Sequence, residues 1–426
     1  CLSPVGQSSH SSNATLAARG RLCQSGAMTH INKGMPVKHS LSIVALALCL
    51  SAPALAKPVP IPVIKAPVIS AETLKRVDQV LSSDAFEGRG PGTVGEEKTI
   101  PYLIEQFKAA GLKPGNKGKW TQDVPIVEIT AENSNGLTVN AGGQSLHYAY
   151  GTDMVAASYR VAPHTDIKDS ELVFVGYGIN APELGWNDYA GTDMKGKIAV
   201  ILVNDPDYEN ADESGLFKGR RMTYYGRWTY KFEEAARQGA KGALIVHDTF
   251  PAAYGWNVVN SSWTGPQDYV QTANDAMDQT EANGWIQKPV AEAVFKAAGK
   301  DLAALTAAAK QKGFKAVPLG ATASLSFDNE IKKTMSHNVI GIQPGKAAPQ
   351  EYVLYSAHWD HLGHCLKDAR GDDICNGALD NASGTATILE VARALSTGET
   401  KLDRDVVFVA FSGEERGLLG SSFITK

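Results

Sequence analysis

The chain has 426 residues, 43% of them hydrophobic and 20% charged, with 41 basic against 45 acidic side chains and a net charge of −4. That length exceeds what one core usually supports and predicts at least two domains. The charge is close to balanced and contains no basic run, which excludes a nucleic-acid-binding surface.

Residues 1–34 begin with Cys1, hold no acidic residue and show no periodic apolar pattern, so they are expected to be upstream sequence rather than protein. From Met35 the pattern changes to a short basic region at Lys38 and His39, an apolar run from Leu41 to Leu50, and the small-residue stretch Ala54-Leu55-Ala56. Together these read as a secretory signal over 35–56. The apolar run is too short to span a bilayer, and Leu48 before Cys49 does not suit lipid attachment, so no stable membrane anchor is expected. The expected product is exported, periplasmic or extracellular, and begins near Lys57. Four basic and no acidic residues precede that point, leaving 37 basic against 45 acidic, a moderately acidic surface. Cys1, Cys23 and Cys49 fall in the leader, and Cys365 and Cys375 remain. In an oxidising compartment an isolated pair reads as a disulfide pinning the loop between them; thiolate ligation of a metal is the competing reading.

Lys57 to Val68 is a Pro-rich, extended lead-in. Helical periodicity covers Ala71–Leu81 and Gly95–Ala110, with Gly111 as a stop and the turn-rich FEGRGPGTVGEE between them. The segment 57–124 is too short for a core of its own and is expected to pack against residues 351–420. From 125 to 320 the chain alternates short strands, such as 171–179 and 197–205, with Gly-rich turns, and 231–248 reads as a helix followed by a strand. Trp228, Tyr230, Trp256 and Trp263 either pack in a core or line a cleft at the domain boundary. Lys296–Lys310 is expected to be one helix, 321–331 a strand, and 336–345 the first strand of a resumed sheet over 321–426.

The last part of the chain holds three polar islands, AHWDHLG (357–363), NGALDNASGTA (376–386) and FSGEERGLLGS (411–421). EYVLYSA and DVVFVAF, ahead of the first and third, read as strands covered on both faces. Between them Ile388, Leu389, Ala392 and Leu395 share a helix face that Gly398 closes. Strand, helix, strand places the polar residues at strand ends, where α/β sheets bind ligands. The residue types suit divalent metals: His358 supplies a nitrogen, Asp380 a carboxylate able to bridge two ions, and Glu415 another oxygen. Asp360 is close enough to orient His358. Glu414 and Glu415, if extended, point opposite ways, so that one can bind metal while its neighbour faces the water and acts as general base.

The three islands resemble those of the co-catalytic two-zinc aminopeptidase family, which includes the glutamate carboxypeptidases, and more narrowly its secreted bacterial members with an inserted protease-associated domain. GYGINAPELGWNDYAG, the helix ending in Gly-Ala-Lys-Gly and PAAYGWNVVNSSWTGP are similar to that inserted domain, assigned here to 125–320. The resemblance implies an α/β fold, a mostly parallel sheet flanked by helices with a β-rich insertion. It implies two zinc ions, with His358 on one, Glu415 on the other and Asp380 bridging, and with Glu414 as base and Asp360 as orienter. The implied reaction is hydrolysis of peptide or protein N-terminal bonds by a metal-bridging water. Two further ligands of the family, an Asp and then a His downstream of the Glu-Glu pair, are expected beyond Lys426, so the peptidase domain is expected to be incomplete. His361 and His364 are read as loop residues with substitution for those ligands as the alternative, and His337 as structural. The alternatives in function are a two-zinc carboxypeptidase or deacylase, and a non-catalytic binding protein with an incomplete zinc site.

Overall fold

The computed structural model describes residues 68–425 apart from 347, 366 and 399–401. The expected upstream stretch, the signal, and the Pro-rich arm up to residue 67 lie outside the described residues.

The N-terminal segment forms two helices. α1 (Ala71–Leu81) starts where the Ser70 hydroxyl accepts from Thr73 N at 3.1 Å, and α2 (Val94–Ala109) starts where Thr93 accepts from Gly95 N. Side-chain oxygens at these positions satisfy amides that the first helical turn leaves unpaired. Neither helix closes a core alone. Val77, Leu81, Leu103 and Phe107 are buried in one cluster with Val339, Trp359, Ile388, Leu389 and Phe408 from the far end of the chain. The first segment and residues 338–411 therefore share one hydrophobic core.

Then come β1 (Thr121–Glu132), β2 (Leu137–Ala141), β3 (Gln144–Tyr148), β4 (Met154–Ala157), β5 (His164–Phe174), β6 (Ile198–Leu202) and α3 (Trp228–Arg237). They are followed by β7 (Gly242–His247), α4 (Trp256–Trp263), β8 (Gln267–Val270), β9 (Ala282–Gln287), α5 (Lys288–Ala297) and α6 (Leu302–Ala309). The single helix expected over 296–310 is thus two, broken at Gly299, whose φ of +68° a helix cannot continue. The last part is β10 (Val317–Gln343), β11 (Ala348–His358), α7 (Ser383–Thr397), β12 (Arg404–Phe411) and α8 (Leu419–Thr425).

β10 organises the sheet. Its 27 residues cover the strand expected at 321–331 and that expected at 336–345 as far as Gln343, and they run across the boundary drawn at 320/321 without a break. Alternate burial along it lets one strand serve two cores: its first half pairs with β5 and β2, its middle with β1, and Val339–Gln343 with β12. With the two-residue strand Lys113–Pro114, which also pairs with β10, the sheet has 13 strands among the described residues and is α/β as expected but mixed in direction. It is parallel in two blocks, β5–β6–β7–β9 and β11–β12, and antiparallel along β10. In the middle of the parallel block β6 and β7 are buried at every residue and apolar apart from the terminal His247, as strands covered on both faces are.

Trp228, Tyr230, Trp256 and Trp263 resolve as packing rather than a cleft. Tyr230 and Trp263 are 3% and 5% exposed and belong to core clusters, and Trp228 and Trp256 pack against the second of these. β12 is buried as expected, whereas β11 is a sheet edge paired with β12, and Tyr352, Val353, Leu354 and Tyr355 are exposed.

Candidate metal centre

β11 and β12 run parallel and end together at His358 and Phe411. The loops that leave this edge carry all three islands. His358 closes β11; its backbone is held by Thr385 Oγ1, which donates to His358 O at 2.8 Å. Asp380 lies in the turn Ala378–Ala382, where its own backbone is non-helical at φ −118° and ψ 96°, and which leads into α7, whose buried face includes Ile388, Leu389 and Ala392. Burying each of the two larger side chains contributes about 2 kcal/mol, which fixes the start of α7 and Asp380 with it. Glu414 and Glu415 follow β12.

The nitrogen of His358 and one carboxylate oxygen each of Asp380 and Glu415 lie within 4.8 Å of one another. His358 Nε2 is 3.2 Å from Asp380 Oδ1 and 3.5 Å from Glu414 Oε2. One imidazole and two carboxylates form a donor set that fits zinc, whose catalytic sites use three protein ligands. Among the described residues no other group of three such side chains converges in this way.

Asp360 is fully buried and acts differently from the expectation. His358 Nδ1 donates to the Asp360 main-chain oxygen at 3.1 Å, and the Asp360 carboxylate lies farther off, at 3.8 Å. The carboxylate instead accepts from the amides of Glu414 at 3.1 Å and Glu415 at 3.3 Å. One residue therefore sets both the imidazole and the Glu-Glu pair. Burial pushes its carboxyl up to about 6, against those amides and the neighbouring His358, which hold it down. Glu414 and Glu415 are in a turn rather than an extended segment, because Glu414 O accepts from Gly417 N and Leu418 N. Their side chains still diverge: Glu414 faces His358, and Glu415 accepts from His361 Nδ1 at 2.5 Å. His361 thus orients a proposed ligand. His364 points away to Asp373 at 3.3 Å.

Arg89, from FEGRGPG, is the residue that the sequence did not single out. Its side chain is fully buried beneath the centre. Nε donates to Trp359 O at 2.8 Å, Nη1 to Leu81 O at 2.5 Å and Asn376 O at 2.8 Å, and Nη2 to Gly377 O at 2.8 Å. The guanidinium fork thereby joins the end of α1, the residue between His358 and Asp360, and the loop entering Asp380. Burial lowers its pKa to about 10, which leaves it cationic at neutral pH. Gly377 has φ +58°, and a Cβ there would stand 2.7 Å from Arg89 Nη2 and 2.6 Å from His361 Cγ, so glycine is required for this approach. Cys365 and Cys375 are bonded to each other, so neither is free as a thiolate ligand, and the hairpin they close packs on the segment containing Arg89.

A polar cluster supports the other side. Glu96 accepts from Gly92 N, Ser336 Oγ and His337 Nδ1, while Trp359 Nε1 donates to His337 O at 2.9 Å. The bond to Glu96 raises the pKa of His337 above its ordinary value. The imidazolium therefore stabilises the fold below the ordinary histidine pKa, and this contribution is lost as pH rises through the raised value. The stability difference between wild type and His337→Gln in urea unfolding is expected to be under about 1 kcal/mol at pH about 6 and to shrink by pH about 9. A difference that grows with pH would contradict this assignment.

The geometry defines an α/β protein with a carboxylate–imidazole cluster suited to a metal ion at the carboxyl edge of a parallel strand pair. Residues 338–426 match the model of Peptidase family M28, a stretch that holds His358, Asp360, His361, Asp380, Glu414 and Glu415, while the supporting Arg89, Glu96, Ser336 and His337 lie ahead of it. Over 410 residues the chain is 34% identical to the Glutamate carboxypeptidase 2 homolog of Caenorhabditis elegans, covering 83% of this chain and 48% of that protein. It is 34% identical over 113 residues to Aminopeptidase NAALADL1 of Mus musculus, 26% of this chain and 14% of that one. The chain thus spans less than half the length of these curated relatives. Among solved structures, an aminopeptidase from Aneurinibacillus sp. strain AM-1 aligns with a TM-score of 0.42 at 24% identity, over 84% of this chain and 66% of that one.

Proposed function

We propose that this protein is a zinc-dependent exopeptidase that removes residues from peptide N-termini. The observation that carries the reading is the convergence of His358, Asp380 and Glu415 within 4.8 Å, with the Glu414 carboxylate beside them. His358, Asp380 and Glu415 would hold zinc, which when bound polarises the scissile carbonyl and acidifies water. Glu414 takes the proton of the attacking water and returns it to the leaving amine. Asp360 holds Glu414 and Glu415 in register through their amides, and His361 fixes the free rotation of Glu415. A second zinc, with Asp380 bridging, belongs to the proposal for the complete catalytic domain. Residues 125–320 are proposed to be a protease-associated domain, supported by the parallel block β5–β6–β7–β9. Export is proposed from the 35–56 pattern and is supported by the Cys365–Cys375 disulfide. No helix among the described residues is long and apolar enough to cross a membrane.

The test is release of p-nitroaniline from leucine p-nitroanilide by the full chain, before and after chelation and after zinc is restored. The expected result is activity that falls with chelation and returns with zinc. A glutamate carboxypeptidase reading is favoured by the name of the relative that covers most of the chain. Hydrolysis of an N-blocked peptide at a C-terminal glutamate, without release of p-nitroaniline, would replace the aminopeptidase reading.

A further inference from the structure

The metal centre uses the carboxyl edge of β11–β12. The other parallel block has a carboxyl edge of its own, which the centre does not use. There β5, β6, β7 and β9 end at Phe174, Leu202, His247 and Gln287, and a cavity of about 280 Å³ opens just beyond them. Each strand end leads into its wall, through Tyr177 in the turn after β5, Leu202 of β6 with Val203, Val246 of β7 with Asp248, and Lys288, which follows β9 as the first residue of α5. This is where α/β sheets place ligands, because the crossover helices splay apart beyond the strand ends. Here α5 and α6 form the opposite side.

The floor is apolar: Tyr177, Leu202, Val203 and Val246 are all under 9% exposed. It is also preformed. The buried Lys231 Nζ donates to Tyr177 O at 2.6 Å and Asn204 O at 3.0 Å, tying the turns after β5 and β6 together. The mouth carries both signs of charge. Lys288 pairs with Asp248 at 2.6 Å and Lys310 with Glu209 at 2.6 Å, and all four side chains line the cavity. These pairs are partly exposed, so each contributes little to stability and is readily exchanged for a ligand group.

We propose that this cavity binds a free amino acid with an apolar side chain. Its volume lies at the lower limit of small-molecule sites, roughly 300 Å³, which suits one residue rather than an extended peptide. The apolar floor takes the side chain. The ligand carboxylate replaces an acid on Lys288 or Lys310, and the ligand ammonium takes the acid so released. The lining also holds Glu292, so the rim carries three acids against two lysines; the ligand ammonium offsets this excess, whereas a carboxylate alone adds to it and an amine alone leaves the lysines unused. The inference rests on the cavity alone and stands whether or not the chain hydrolyses peptides.

The experiment is calorimetric titration of the full chain with L-leucine in EDTA, so that the metal centre contributes nothing. Leucine is expected to bind with a single site per chain. 4-Methylpentanoate, which lacks the ammonium, and 3-methylbutylamine, which lacks the carboxylate, are expected to bind at least about tenfold more weakly. Ala307 lines the mouth and is exposed, so Ala307→Trp should fill the cavity while leaving the circular dichroism unchanged, and should remove binding. The double variant Lys288→Ala/Lys310→Ala should weaken binding about tenfold and serves alone if the tryptophan variant does not fold. The proposal is overturned if leucine gives no saturable heat, if the folded variants bind it like wild type, or if 4-methylpentanoate binds as tightly.

Discussion

Replacing Arg89 with methionine is expected to lower the stability of the folded chain by about 3–5 kcal/mol and to weaken zinc binding at least about tenfold. The side chain makes no ion pair among the described residues. Four of its five N–H groups serve carbonyls of Leu81, Trp359, Asn376 and Gly377. Methionine fills a similar volume but leaves those buried carbonyls without donors, and each costs about 1–3 kcal/mol before relaxation. The effect on the metal follows from position, since Trp359 O lies between His358 and Asp360, and Gly377 O lies three residues before Asp380. Losing both anchors frees two ligand-bearing loops to move relative to each other. Arg89→Lys keeps the charge but not the planar fork, so it should recover less than half of the stability. Urea unfolding and calorimetric zinc titration measure the two effects. A methionine variant within about 1 kcal/mol of wild type, with unchanged zinc affinity, would remove Arg89 from this role.

Glu414→Gln is expected to reduce release of the aminoacyl chromophore by about 10²–10⁴-fold, the usual contribution of a positioned proton carrier, with zinc content unchanged. The amide keeps the size of the side chain and its place near His358, but it cannot accept the proton from water. Glu415→Gln should differ in kind, losing zinc together with activity, because Glu415 belongs to the convergent donor set and Glu414 stands beside it. Equal zinc loss in both variants would merge the two roles and contradict the division of labour between the adjacent glutamates.

Much of the centre was legible because strand ends and polar islands are local patterns. His358, Asp380 and Glu415 were singled out from residue type and place in the chain, and the structure brings their donor atoms together. The role of Asp360 was only half legible. Two positions from His358 it could be read as an orienter, but its carboxylate bonds to amides 54 and 55 residues away, and sequence carries no mark of that contact. Arg89 was invisible for the same reason. An arginine among glycines reads as a solvated turn, and its burial follows from a core shared by α1, α2 and α7 across some 300 residues. The turn at Glu414 is announced by Ser412-Gly413, where Gly413 takes φ +64°, and is closed by the Gly417 amide, but the Glu-Glu pair between these glycines carries no mark of whether it is extended. β10 was read as two strands because its exposed middle, Lys332–Met335, breaks the alternation although the ladder to β1 continues through it.

The most direct test of the account is anomalous scattering at the zinc edge from crystals of the chain grown with zinc. The account predicts a peak within about 2.0–2.2 Å of His358 Nε2 and of carboxylate oxygens of Asp380 and Glu415, with Glu414 outside the coordination sphere. Zinc bound elsewhere, with these three side chains unliganded, would contradict the metal centre and the function proposed from it.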